Sequence, residues 1–145
     1  MSIVSKKGDW GETWYFDKRV RKDSELMEAV GSLDELQAVC GLVKLEKIQK
    51  DLYEIMANLD KETRNKKLET RIREIEKEIE VMETKIKVPR EFVIFKKEKA
   101  VKLNWVRTVV RRAERAIVKL DKGVMIYLNR LSDFIYLKAL QEELK

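Results

Sequence analysis

The sequence predicts an all-α fold: five helices with heptad-like seams behind a non-helical leader. Three observations carry that expectation. Apolar residues recur in alternating steps of three and four through most of the chain, the spacing that lines one face of a helix. Breakers are scarce, with one Pro and five Gly in 145 residues. The remainder is rich in Lys, Glu and Leu, which propagate helices well. Hydrophobic residues make up 44% of the chain, so a single domain over residues 1–145 with a real core is expected.

Residues 1–23 form the leader. Ser5-Lys6-Lys7-Gly8-Asp9-Trp10-Gly11-Glu12-Thr13 carries two glycines three apart among polar residues. Glycine there allows a positive φ and close backbone approach to a ligand. Successive amides in such a turn can form an anion-binding nest, with Lys6 or Lys7 supplying charge; an ordinary tight turn is the alternative. The P-loop spacing is absent. Trp14-Tyr15-Phe16 should pack the loop back onto the domain. Arg19-Val20-Arg21-Lys22-Asp23 is basic and leads to a helix start at Asp23 or Ser24, both good N-caps.

The helical part covers residues 24–145. Helix one, about 24–44, keeps three-four spacing at Leu26, Ala29, Leu33, Leu36, Cys40 and Val43. Asp34 lies beside that seam, half-buried and in need of a cation, as a structural ion pair or as a functional group. Glu35 reads as a solvated carboxylate. Helix two, about 45–60, repeats the pattern at Leu45, Ile48, Leu52, Ile55 and Leu59, and a polar turn is expected near 60–67. Helix three, about 68–87, shows Leu68, Ile72, Ile75, Ile79, Met82 and Ile86, and nothing in it points to chemistry. Pro89 ends it. Phe92-Val93-Ile94-Phe95 is an extended connector whose aromatics should be buried. Helix four ends near Gly123, a plausible C-cap region, and helix five runs over about 124–144. In helix five Asn129 and Asp133 share a face one turn apart. An inward Asn needs its amide satisfied, by a ligand or by the backbone.

Helix four carries the densest charge. Leu103, Val106, Val110, Ala113, Ile117 and Leu120 form its apolar stripe. At 100° per residue Arg107, Arg111 and Glu114 fall on a second face beside that stripe, at the rim of the core. Two guanidiniums one turn apart, one held by a carboxylate, suit a polyanion such as a triphosphate. A solvated Arg/Glu face with i,i+3 and i,i+4 pairs is the other reading.

Composition excludes several classes. The chain has no His and one Cys. Ordinary zinc and iron sites and His-based triads are therefore out, and no protein metal site is expected. Cys40, on an apolar face, is expected to be a packed thiol. No apolar run reaches bilayer length, and the first residues lack a secretory signal's apolar stretch, so a cytoplasmic protein without membrane contact is expected. The net charge of +6 permits an anionic partner. Basic and acidic residues interleave along the helices, unlike a nucleic-acid-binding stripe, so nucleic acid is not expected.

Three separated stretches together resemble one family, the ATP:cob(I)alamin (corrinoid) adenosyltransferases of the PduO type. The leader is similar to Thr-Lys-x-Gly-Asp-x-Gly-x-Thr followed by Arg-Val-x-Lys-Asp. Glu28-Ala29-Val30-Gly31-Ser32-Leu33-Asp34-Glu35-Leu36 is similar to Glu-Ala-x-Gly-x-Val-Asp-Glu-Leu. Arg107 to Arg115 and then Tyr127-Leu128-Asn129-Arg130-Leu131-Ser132-Asp133 resemble Arg-x-x-x-Arg-Arg-Ala-Glu-Arg and Tyr-Leu-Asn-Arg-Leu-Ser-Asp.

The resemblance implies a five-helix bundle with an N-terminal nucleotide-binding loop, assembled as a homotrimer with active sites between subunits. It implies transfer of the 5′-deoxyadenosyl group of ATP, accompanied by Mg2+, to the cobalt of cob(I)alamin. By the same resemblance, Ser5, Lys6, Lys7, Gly8, Asp9, Gly11, Thr13 and Lys22 hold the phosphates. Arg111, Arg112, Glu114, Arg115 and Asn129 line the nucleotide site. Asp34 pairs with Arg107 across the interface, with Asp34, Arg107 and Arg111 catalytic, and Phe92 crowds the lower face of cobalamin. After Phe92 the chain departs from the family's Phe-x-Leu-Pro-Gly-Gly and reads Phe92-Val93-Ile94-Phe95-Lys96-Lys97. That departure leaves an alternative, a non-catalytic ATP- or corrinoid-binding relative acting in delivery or regulation.

Overall fold

The computed structural model describes residues 2–59 and 66–145. Most of them are helical: α1 Glu25–Leu42, α2 Glu46–Asn58, α3 Lys66–Glu83, α4 Glu98–Ile117 and α5 Lys122–Leu144. The expected turn near 60–67 falls largely outside the described residues, and Lys66 and Lys67 already belong to α3. A small antiparallel hairpin precedes the helices, β1 Glu12–Tyr15 and β2 Lys18–Arg21. The fold is therefore mostly helical and not purely so.

The hairpin pairs Glu12 with Arg21, Thr13 with Val20, Trp14 with Arg19 and Tyr15 with Lys18. That register leaves Phe16-Asp17 as a two-residue turn, with Phe16 at φ 55°. A positive φ is what such a turn demands, although Asn or Gly meets the demand at lower strain. Of the Trp14-Tyr15-Phe16 run, only Tyr15 is buried. Its hydroxyl donates to the carbonyl of Met56, near the end of α2.

Ser24 is the N-cap of α1, its hydroxyl accepting from the Met27 amide at 3.2 Å. The expected apolar residues of α1 and α2 are buried or partly buried in the core. Lys44, at φ 58°, turns the chain from α1 into α2. In α4, Leu103, Val106, Val110, Ala113 and Ile117 are all buried. Leu120 is not: α4 stops at Ile117, and Leu120 lies in the following turn. Gly123 is likewise no C-cap, because Asp121 has already capped α5 by accepting from the Val124 amide at 3.0 Å. Gly123 sits in the first turn of α5.

Helix α5 is central. It packs on α3 and α4, while α1 packs on α2 and α4. One polar node ties three helices together inside this core. The Asp51 carboxylate on α2 accepts from Arg71 Nε on α3 at 2.9 and 3.0 Å, and from the Tyr127 hydroxyl on α5 at 2.9 Å. Tyr127 is fully buried, and the Asp51 and Arg71 side chains are only 13% and 12% exposed. Burial away from water, with Asp51 beside it, pushes the Tyr127 phenol well above its usual value. Groups this far from water are stabilising only when each finds a partner, and here each does. Among the described residues no helix is long and apolar enough to cross a membrane.

The node sets an expectation. Tyr127→Phe removes one donor from Asp51 and leaves the Arg71 bonds, so it should cost about 1–2 kcal/mol. Urea denaturation checks this, and an unchanged midpoint would remove Tyr127 from the node.

Candidate functional site

Burying the α4 stripe leaves Arg107, Arg111 and Glu114 along the edge where α4 meets α5. Arg107 is half-buried, with Nε donating to Asn104 Oδ1 at 3.0 Å. Arg111 Nη1 donates to Glu114 Oε2 at 2.8 Å and reaches Asn129 Oδ1 on α5 at 3.4 Å. The Glu114 side chain is 16% exposed and that of Arg111 47%, so a sheltered carboxylate steers a guanidinium that faces water. The Asn129 amide oxygen is satisfied by this arginine.

Arg107 and Arg111 open onto a cleft of about 600 Å³. Its other walls are Ser132, Asp133 and Tyr136 from α5, and Arg90 to Val93 from the connector before α4. Phe92 therefore lines the same cleft as the arginines. It is also fully exposed, contrary to the expectation that both connector aromatics are buried. Phe95 meets that expectation in part, packing edge-on against Tyr136 at 6.2 Å between ring centres.

The remaining arginines diverge. Arg112 turns toward α1 and pairs with Glu35, which is exposed as expected and has a partner besides water. Arg115 lines a second cleft of about 410 Å³ with Asp23, Ser24, Glu28 and Lys119. Asp34 is exposed and not half-buried; Leu33 and Leu36 take the inward positions on either side of it. Within the chain Asp34 and Arg107 form no ion pair among the described residues.

The leader is built from linked turns. The Asp9 amide donates to the Lys6 carbonyl and the Gly11 amide to the Gly8 carbonyl, both at 3.3 Å. The Lys22 amide closes on the Gly11 carbonyl at 2.9 Å. Lys6 at φ 59° and Gly11 at φ 83° supply the left-handed positions. Because Asp9 and Gly11 use their amides to close turns, an anion here would draw on other amides and on the lysines. The amide of Lys7 faces the Ser5 hydroxyl at 3.4 Å. Lys22 folds over Gly8 so closely that a Cβ there would lie 2.8 Å from Nζ. Thr13 sits in β1, half-buried. The leader is tied to the helices by the Tyr15 hydroxyl on α2 and by the Ser24 amide, which donates to the Arg21 carbonyl at 3.1 Å.

Tyr136 was not anticipated, yet its signal was available. Asn129, Asp133 and Tyr136 follow three-four spacing on α5, and the last two line the Arg111 cleft. Cys40 is fully buried, and desolvation pushes its thiol up to about 12. It is a packing group, as expected.

A family profile described as cobalamin adenosyltransferase matches residues 3–142. The chain belongs to the cobalamin adenosyltransferase family. The corrinoid adenosyltransferase PduO of Citrobacter freundii is 33% identical over 168 positions, covering 99% of this chain and 50% of that protein. The PduO of Salmonella typhimurium is 32% identical with the same coverage. This chain thus spans about half the length of those two relatives. It spans 85% of the corrinoid adenosyltransferase of Bacillus subtilis, at 31% identity and 96% of its own length. Among solved structures, a variant PduO-type ATP:co(I)rrinoid adenosyltransferase from Lactobacillus reuteri complexed with ATP superposes with a TM-score of 0.88. It has 27% identity, covering 98% of this chain and 94% of that one. Another variant of the Lactobacillus reuteri enzyme, complexed with cobalamin and ATP, gives 0.88 at 25% identity, covering 99% and 91%.

The Arg112–Glu35 pair is half-exposed on both sides. Exposed pairs contribute little, so Arg112→Ala should cost no more than about 1 kcal/mol of stability. Chemical denaturation checks it; a larger loss would make the pair a structural clamp between α1 and α4.

Proposed function

We propose that this chain is an ATP:cob(I)alamin adenosyltransferase. It transfers the 5′-deoxyadenosyl group of ATP to the cobalt of cob(I)alamin, giving adenosylcobalamin and triphosphate. The observation that carries the proposal is the single cleft on which Phe92, Arg107 and Arg111 converge, beside Glu114 and Asn129.

The chemistry asks little of protein acids and bases. The reduced cobalt attacks the 5′-carbon, the carbon–oxygen bond to the triphosphate breaks, and the leaving group carries away several negative charges. Fixed cations and amides aimed at that charge are the main help a protein can give. Arg111, Arg112, Glu114, Arg115 and Asn129 are assigned to the nucleotide. Ser5, Lys6, Lys7, Gly8, Asp9, Gly11, Thr13 and Lys22 are assigned to the phosphates. The ammonium of Lys22 lies over Gly8, in space that only a residue without a Cβ leaves open, which puts its charge beside the leader backbone. Phe92 is assigned to the lower face of the corrin, where an aromatic excludes water and base from the cobalt. The cofactor supplies the hard chemistry, and the protein binds, orients and excludes water.

The assigned residues divide between the leader and the edge of α4, and the leader bonds to α2. That division supports a five-helix, single-domain subunit working in a homotrimer, with Asp34 of one copy pairing Arg107 of the next. Asp34 is exposed and available for such a partner. Among the described residues no three His, Cys, Asp or Glu side chains gather as a metal site. Mg2+ would accordingly ride on the phosphate oxygens and water. A cytoplasmic setting, which supplies both ATP and reductant, fits this reading.

A second reading rests on the exposed Phe92 and the Lys96-Lys97 sequence behind it: a relative that binds ATP or corrinoid without turning it over. An anaerobic assay with Mg-ATP and chemically reduced cobalamin separates the two. Conversion requiring both ATP and protein is expected; ATP binding without conversion would favour the second reading. Arg111→Ala should lower kcat/KM by roughly a hundredfold and weaken ATP binding in a folded protein. Unchanged ATP affinity, measured by calorimetry, would remove Arg111 from the nucleotide site.

A further inference from the structure

Residues 84–97 join α3 to α4 without regular structure, and they carry one wall of the cleft. Val93 and Phe95 are partly buried against the core, while Phe92 and Ile94 point into solvent. A wall built on such a segment needs something to hold its backbone in place. The amides of Lys96 and Lys97 both donate to one oxygen, Glu143 Oε2, each at 3.0 Å. Glu143 lies in the last turn of α5, 46 and 47 residues along the chain from these donors. Lys97 holds the N-cap position of α4 but provides no side-chain cap of its own. The carboxylate of Glu143 therefore does from a distance what a local cap does elsewhere: it fixes the backbone where extended chain enters helix.

We infer that Glu143 is a positioning residue for the corrin-facing wall, holding the connector so that Phe92 stands over the Arg107–Arg111 cleft. The inference rests on the proposed function and names a residue through which its corrin half is set. Two backbone donors on one carboxylate lower the Glu143 pKa, so the acceptor stays ionised at neutral pH. Phe95, one residue before the bonded pair, packs on Tyr136, which itself lines the cleft. The connector is thus tied to α5 twice within three residues, by a ring contact and by a carboxylate. The neighbouring Glu142 acts differently. It pairs with Lys99 at 3.0 Å and Lys145 at 2.7 Å and leaves the connector amides alone. It serves as an internal control at the same helix end.

The test compares wild type, Glu143→Ala, Glu143→Gln and Glu142→Gln in anaerobic turnover, varying cob(I)alamin and ATP separately. Hydrogen exchange of residues 92–97 is followed in parallel. Glu143→Ala should raise the KM for cob(I)alamin about tenfold through misplacement of the wall, with the KM for ATP held within about twofold. Exchange at 96 and 97 should speed up in the same variant. Glu143→Gln keeps one acceptor oxygen and should fall between, and Glu142→Gln should match wild type. An unchanged cob(I)alamin KM in Glu143→Ala overturns the inference and leaves the functional reading standing. A parallel rise in both KM values also overturns it, since that is the signature of general destabilisation. Wild type that neither binds nor converts cobalamin overturns the functional reading, and this inference with it.

Discussion

The apolar seam along α4 governs where that helix's charged groups can lie. Val106, Val110, Ala113 and Ile117 are buried against the core, so the helix has no freedom to rotate. With the stripe fixed, the 100° step leaves Arg107, Arg111 and Glu114 no other place than the edge beside it. There they are sheltered enough for Glu114 and Asn129 to orient Arg111, and exposed enough to meet a ligand. Charge at a core rim keeps water on one side and protein on the other. That setting strengthens its interactions without the full cost of burying an ion.

A second constraint holds the frame around that seam. The Asp51 node fastens α2, α3 and α5 at one point, and it sits two residues before Asn129 through Tyr127. Apolar packing is permissive about how a helix slides along its neighbour, and a guanidinium and a phenol converging on one carboxylate are not. Gln49 adds a smaller tie of the same kind, donating from α2 to the Gln37 carbonyl of α1 at 2.9 Å. The residues that face the cleft therefore inherit their register from polar contacts deep in the molecule.

Periodicity made the helices legible in advance, because their apolar stripes are long and regular. The Arg107–Arg111–Glu114 face followed from the same arithmetic. The hairpin at 12–21 escaped it for a physical reason: each strand is four residues, and Phe16-Asp17 replaces the usual Asn-Gly turn. Where α4 ends was misjudged because Gly123 looked like a stop, whereas Asp121 two residues earlier is a start. Helix three looked devoid of interest although it supplies Arg71. The signal was a charge in the apolar stripe of each of two successive helices: Asp51 between Ile48 and Leu52, and Arg71 between Leu68 and Ile72. Exposure of Phe92 and the Glu143 bonds could not be read, since no periodic pattern links a connector to a helix end 46 residues away.

The buried thiol of Cys40 has an implication for the charge at the α4 edge. Histidine is absent from the chain, and the lone sulfhydryl is lifted to about 12 by its apolar surroundings. None of the side-chain types that ordinarily change protonation near neutrality is then left to do so. The α4 edge therefore carries no imidazole or thiol switch between about pH 5 and 8. A dependence of binding on acidity in that range would then point to groups on whatever binds there.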